Sequence, residues 1–186
     1  MRKKFLTLAC TFLLAGTAVA QVTPSATGSH KSLSAGALFS YTQPNCCTYD
    51  TSNNPVVGSN GNHLYGIGVF VDYRMSRWLQ LEGEYRKLPW NQYQDQNIRE
   101  SSTLVGLREP IRTFGRVTPY GKALVGLGSA SFLTGRAFAY ALGGGADYRL
   151  NKRWSLRGDF EYQRWSVSPT ALKPYVASAG LKYRIF

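Results

Sequence analysis

Asp72-Tyr73-Arg74-Met75-Ser76-Arg77-Trp78-Leu79-Gln80-Leu81-Glu82-Gly83-Glu84-Tyr85 reads as a strand end, a tight turn and a second strand. The pattern returns 75 positions later as Asp147-Tyr148-Arg149-Leu150-Asn151-Lys152-Arg153-Trp154-Ser155-Leu156-Arg157-Gly158-Asp159-Phe160. After each turn, apolar or small residues alternate with charged ones. Leu81, Gly83 and Tyr85 alternate with Glu82 and Glu84, and Leu156, Gly158 and Phe160 with Arg157 and Asp159. Period two sends the two sets to opposite faces of a sheet. A repeat of 75 residues holds four strands, so the hairpin recurs once per half of an eight-stranded sheet. Two independent hairpins with similar requirements would read the same way, and either origin gives the same architecture.

Working outward, period two holds almost everywhere from Ser32, broken by turn signals. The predicted strands are 32–43, 63–74, 78–88, 98–108, 117–132, 138–150, 154–165 and 173–186. The connections 44–62, 89–97 and 166–172 are long or polar, whereas 75–77 and 151–153 are tight. Long loops at one end and short turns at the other mark membrane β-barrels. Two connections depart from that rule: 109–116 is long where a short turn is expected, and 133–136 is short where a long loop is expected.

The chain has 186 residues, 44% hydrophobic, 13% aromatic and only 17% charged, with 19 Gly and 12 Tyr. That balance suits a β-rich wall between two solvents and argues against a helical membrane protein, since no long apolar segment follows the N-terminus. Residues 1–20 read as a signal peptide. Arg2, Lys3 and Lys4 precede a mostly apolar run, and Ala18-Val19-Ala20 forms a small-x-small cleavage site. A lipoprotein reading would use Cys10, but most of the apolar run follows that residue. Residues 21–31 read as a polar tether, leaving 32–186 for the barrel. Without the leader, 19 basic residues face 10 acidic ones, for a mature charge of +9. Such a charge suits anionic lipid, while no nucleic-acid motif accompanies it. Cys46 and Cys47 are adjacent and make no disulfide framework. They carry no specific role, form a strained vicinal disulfide, or serve redox or metal chemistry. No cofactor site is expected, and two neighbouring thiols are a poor zinc site.

Alternation alone does not say which face is outside. Three features put the polar face inward and the apolar face toward lipid. First, the polar face holds Gly36, Gly66, Gly68, Gly106, Gly143, Gly145 and Gly180. Glycine wastes β-propensity on a wetted surface but makes room inside a narrow barrel. Second, the polar face carries both signs. Its acids are Asp72, Glu82, Glu84, Glu100, Asp147, Asp159 and Glu161, and its cations Arg74, Arg86, Arg108, Arg149, Arg157, Lys182 and Arg184. Side chains just fill an eight-stranded barrel, and charges buried there must pair. Third, Tyr73, Trp78, Tyr85, Trp154, Tyr162, Trp165, Tyr175 and Tyr183 lie near strand ends, the girdle position of a lipid–water interface. The fold expected is an all-β, closed, antiparallel up-and-down transmembrane barrel.

Three stretches carry a family resemblance. Positions 145–160 place Gly145, Asp147, Tyr148 and Arg149 before Trp154, Leu156, Gly158, Asp159 and Phe160. Thr118-Pro119-Tyr120 is followed by Gly126-Leu127-Gly128, and the chain ends Gly180-Leu181-Lys182-Tyr183-Arg184-Ile185-Phe186. Over 32–186 the chain resembles the OmpA-like outer-membrane β-barrel family, of the small single-domain kind. The resemblance implies a bacterial outer-membrane location and handling by the barrel-assembly machinery, with Leu181, Tyr183 and Phe186 as the assembly signal. Phe186 departs from the pattern because it is out of phase with Leu181 and Tyr183, which leaves the last-strand register open.

Three roles follow as expectations. The first is a noncatalytic barrel that supports membrane integrity and displays loops, above all 44–62, for adhesion. Its partners would be outer-membrane lipid and lipopolysaccharide, the latter through Arg86, Lys87, Arg136 and Lys173. The second is a narrow gated ion pore, with little lumen available. The third is an outer-membrane lipid-modifying enzyme. The mature chain has only His30 and His63 for that chemistry, with Ser101 or Glu100 as partners for His63.

Overall fold

The computed structural model describes residues 31–43, 48–49, 55–56, 63–91, 99–131, 133, 135–166 and 171–186. The expected signal peptide, most of the tether, Cys46, Cys47 and most of the first loop lie outside the described residues.

Eight antiparallel strands close into one barrel in meander order. They are β1 (Ser32–Gln43), β2 (Leu64–Arg74), β3 (Gln80–Asn91), β4 (Glu100–Pro110), β5 (Val117–Ala130), β6 (Ala137–Arg149), β7 (Trp154–Ser166) and β8 (Tyr175–Arg184). A two-stranded ribbon, Thr48–Tyr49 against Pro55–Val56, stands in the first loop. Closure is made by β1 and β8, paired without a slip from Ser34↔Arg184 to Gln43↔Tyr175. It leaves no open sheet edge, and unpaired backbone groups in hydrocarbon would cost several kcal/mol each. Among the described residues the only register irregularity in the barrel lies between Tyr65 and Ile67, where β2 meets β3.

The last-strand register is therefore settled. Leu181 and Tyr183 pair in phase with β7, opposite Leu156 and Trp154. The Leu33 N–H donates to the Phe186 carbonyl, so the chain continues past Arg184 alongside β1.

The two copies of the repeat build the same turn. The N–H groups of Met75 and Ser76 donate to the Leu79 carbonyl, and those of Leu150 and Asn151 donate to the Trp154 carbonyl. Ser76 Oγ accepts from Trp78 N and Leu79 N, and Asn151 Oδ1 accepts from Arg153 N and Trp154 N. Short polar side chains at matched positions thus close both hairpins. Trp78 lies in the turn and Leu79 just after it, and β3 starts at Gln80 rather than at 78, whereas β7 starts at Trp154, the match of Leu79. The long 109–116 connection is itself a hairpin. Phe114 bridges Val117, and Gly115 supplies the left-handed residue of the turn at φ 60°.

The outward face is apolar, with Ile67, Val69, Val71, Leu81, Val105, Val125, Leu142, Leu156 and Phe160 all 40–57% exposed. The inward face holds the buried charges. This is the reverse of a soluble barrel, and it is stable only where the outer solvent is hydrocarbon.

Candidate functional site

Because the repeat spans four of eight strands, its two copies stand on opposite walls and their inward residues meet across the lumen. Two such pairs carry opposite charges and bond directly. Arg86 grips Glu161 through both guanidinium nitrogens, at 2.8 and 2.6 Å, and Arg157 donates to Glu82 at 2.5 Å. Members of each pair are 75 residues apart. Two further pairs, both of acids, carry like charges, and cations from intervening strands bridge them. Asp72 and Asp147 both bind Lys182, at 2.8 and 2.7 Å, and Arg108, at 3.0 and 2.7 Å. Glu84 and Asp159 both bind Lys122, at 3.3 and 3.4 Å.

The charges stack along the barrel axis. In the layer nearer the turns, Arg108 and Lys182 hold the two aspartates, and Gln80 Oε1 accepts from Arg108 at 2.9 Å. Arg157 sits above, 4.0 Å over the Phe70 ring and 3.0 Å from the Tyr120 hydroxyl. Tyr120 donates in turn to Asp159. Farther toward the loops, Arg86 also binds Glu84 at 2.7 Å. Gln163 Nε2 donates to Glu161 at 2.9 Å, and Trp165 Nε1 donates to Gln163 at 3.0 Å. The carboxylates of Glu84, Asp159 and Glu161 converge as metal ligands would. The Lys122 ammonium binds all three of them, and Glu82 as well at 3.0 Å. It thereby takes the place a cation would occupy.

Strand alternation offered a signal for Lys122, which is in phase with Tyr120 and Gly126. The apolar run 123–125 masked it, and the sequence reading passed it over. Gln80 and Gln163 have the polar phase on their strands, but like Tyr120 they carry no charge, so a charge pattern does not single them out as members of the network.

An apolar plug closes the loop end. Leu104, Leu124, Ala139, Ala141, Trp165 and Leu172 form a buried cluster, with Leu133 packed against it. Trp165 is 2% exposed and points inward, which corrects its place in the expected aromatic girdle. It is in phase with Glu161 and Gln163, and nearness to a strand end had outweighed that phase. Gly128 makes room for it, because a Cβ there would lie 2.7 Å from three indole carbons. Gly128→Val should therefore destabilise the barrel by about 1–3 kcal/mol, the usual cost of overpacking. Urea unfolding of the refolded protein measures it, and adding Trp165→Leu should recover most of the loss.

Four inward cations and one acid stand differently from the sequence expectation. Arg86 is 1% exposed in the paired stack, so it is not a loop-end contact for lipopolysaccharide. Arg74 is half-buried, while Arg149 and Arg184 are exposed. All three lie at the turn-end mouth, without a carboxylate partner among the described residues. Glu100 is buried at the start of β4 with Oε2 unbonded, outside the charge network. Position along the axis separates Arg74, Arg149, Arg184 and Glu100 from the paired stack, although all have the inward phase.

On the outer face, Trp154 packs on Tyr183 near the turns at 4.8 Å between centroids, and Tyr162 on Tyr175 near the loops at 5.3 Å. Trp78 and Tyr85 are exposed, and Tyr73 is half-buried. His63 Nδ1 bonds the Tyr41 hydroxyl at 2.6 Å, with the two rings stacked and Tyr65 beside them. Lys87, Arg136 and Lys173 are exposed.

The family model described as outer membrane protein beta-barrel domain matches residues 10–184. A crystal structure of Neisserial surface protein A is similar with a TM-score of 0.64 at 16% identity, covering 81% of this chain and 96% of that one. OprG from Pseudomonas aeruginosa gives 0.55 at 12% identity, covering 84% and 97%. The attachment invasion locus protein of Yersinia pestis gives 0.50 at 17% identity, covering 86% and 100%. At these identities the likeness is one of fold. No curated protein sequence matches the chain significantly.

Proposed function

Starting from a chain that belongs to the outer membrane protein beta-barrel domain family and sits in the bacterial outer membrane, we propose that it is a noncatalytic wall protein. On this reading it supports membrane integrity and works through its loops. The observation that carries the proposal is the filled interior. Paired charges occupy the lumen from Asp72 to Glu161, and the cluster around Trp165 blocks the loop end. Among the described residues these side chains fill the axis, and the surfaces left for contact are the loops and the two mouths. The polar segment 44–62 is the proposed display element, and outer-membrane lipid and lipopolysaccharide the surrounding partners. Lys87, Arg136 and Lys173 are the cations for lipid phosphates. Residues 1–20 serve as the export signal and 21–31 as the tether. Leu181, Tyr183 and Phe186 form the terminus offered to the assembly machinery. His63 supports the noncatalytic reading, since its Nδ1 is engaged by a tyrosine rather than by a carboxylate.

Planar-bilayer recording tests the proposal. The purified protein should give no stable conductance across a range of voltages. Regular single-channel steps would reject the wall reading in favour of a narrow pore.

A further inference from the structure

The turn-end mouth encloses a cavity of about 320 Å³, at the lower end of the ~300–1,000 Å³ typical of small-molecule sites. Inward strand ends form its inner wall, and the three turn-end connections form its rim. Ten Lys and Arg side chains line it, against two carboxylates, Asp72 and Asp147. Those two acids are already satisfied by Arg108 and Lys182. Eight cations remain, and none has a carboxylate within 4.0 Å among the described residues.

This accumulation is built by the fold rather than scattered over it. The repeat delivers Arg74 and Arg149 from matched positions on opposite walls, and β8 delivers Arg184. The β4–β5 hairpin, unusually long for a turn-end connection, brings Arg112 and Arg116 over the same opening. That hairpin is fastened in place. Arg149 N donates to the Arg116 carbonyl at 2.8 Å, Arg149 Nη2 donates to the Gly115 carbonyl at 3.4 Å, and Ile111 N donates to the Pro119 carbonyl at 2.9 Å. Arg74 Nε is buried without a hydrogen-bond partner. Like charges gathered around a concavity repel one another, and a buried guanidinium donor left unbonded costs about 1–3 kcal/mol. An anion in the cavity relieves that repulsion.

We propose that the turn-end mouth binds a compact polyanion bearing clustered phosphate groups. Planar guanidinium forks suit phosphate oxygens, and several forks on opposite walls suit more than one phosphate. Short turns face the periplasm in outer-membrane barrels, so the ligand enters from that side. Two sources share this chemistry: a soluble phosphate ester, and the headgroup of an inner-leaflet lipid. The lining favours the soluble source, because inward strand ends and polar turns make nearly all of the cavity, with Ile111 as an exposed apolar residue on its rim.

Tripolyphosphate is the probe, titrated by calorimetry into the full chain purified from the outer membrane. A saturable 1:1 isotherm that weakens with salt is expected. Arg149→Gln combined with Arg184→Gln should weaken it at least ten-fold. Both side chains are exposed and outside the paired stack, and heat-modifiable gel migration verifies that the variant folds. Lys173→Gln, on the loop side, should leave the affinity unchanged. Lack of saturable binding would overturn the proposal. So would equal weakening by Lys173→Gln, which would mean attraction to overall charge only. A glutamate oligomer of equal charge that bound more tightly would replace phosphate by an acidic peptide and overturn the assignment. In nanodiscs, affinity independent of phosphatidylglycerol content supports the soluble source. Competition by that lipid, abolished in the double variant, supports the headgroup at the same site.

Discussion

Arg157→Met should destabilise the folded barrel by about 3 kcal/mol, the low end of the range for breaking a buried ion pair. The side chain is 2% exposed and lies among Glu82, Asp72 and Asp159. Removing it strips a cation from three buried carboxylates and the cation–π contact from Phe70. The loss stays at the low end because each carboxylate keeps another partner. Glu82 and Asp159 keep Lys122, and Asp72 keeps Lys182 and Arg108. Much of the penalty is uncompensated negative charge, so removing Glu82 as well should return part of it. Glu82→Gln with Arg157→Met should cost at least about 1 kcal/mol less than the sum of the single changes. Equilibrium urea unfolding in lipid vesicles, followed by tryptophan fluorescence, reads all three variants. Strict additivity would mean that the two groups do not interact across the lumen. The wild-type pair need not exceed an apolar pair in stability, since desolvation offsets most of the attraction.

Val69→Arg should cost about 2–4 kcal/mol in a lipid bilayer, the penalty for a cation on the lipid face near the midplane. Val69 is 56% exposed between Ile67 and Val71 on β2. Were the outward face wetted, the same substitution would stay within about 0.5 kcal/mol, as exposed surface changes do. The two outcomes separate a barrel in lipid from one in water. Folding yield into vesicles and the urea midpoint are the measurements. A neutral result would remove the physical basis for placing this face in hydrocarbon.

The strands and their faces were legible because they are local properties. Residues two apart share a face whatever the rest of the chain does, so 64–74 and 154–166 disclosed their inward sets directly. Strand ends were less legible. The turn closed on Ser76 Oγ holds Trp78, and β3 begins only at Gln80, where the ladder to β4 starts opposite Arg108. β4 runs on to Pro110 because the following hairpin extends the ladder, with Pro110 opposite Tyr120. Trp165 shows how two sequence cues can conflict. Its position near a strand end suggested the girdle, while its phase set it inside against Gly128. Phase is the stronger cue, since an inward direction is geometric whereas girdle occupancy is a tendency.

The sequence by itself determined a closed eight-stranded barrel with an apolar exterior and a charged interior, because alternation, turn chemistry and the 75-residue repeat are written in adjacent residues. It did not determine which charges meet. Arg86 with Glu161, Lys122 among four carboxylates, and Arg74, Arg149 and Arg184 at an unneutralised mouth all depend on height along the barrel axis. Height is fixed by the register of every intervening strand pair. Only the closed tertiary structure accumulates those registers around the barrel and brings the two walls to the same level.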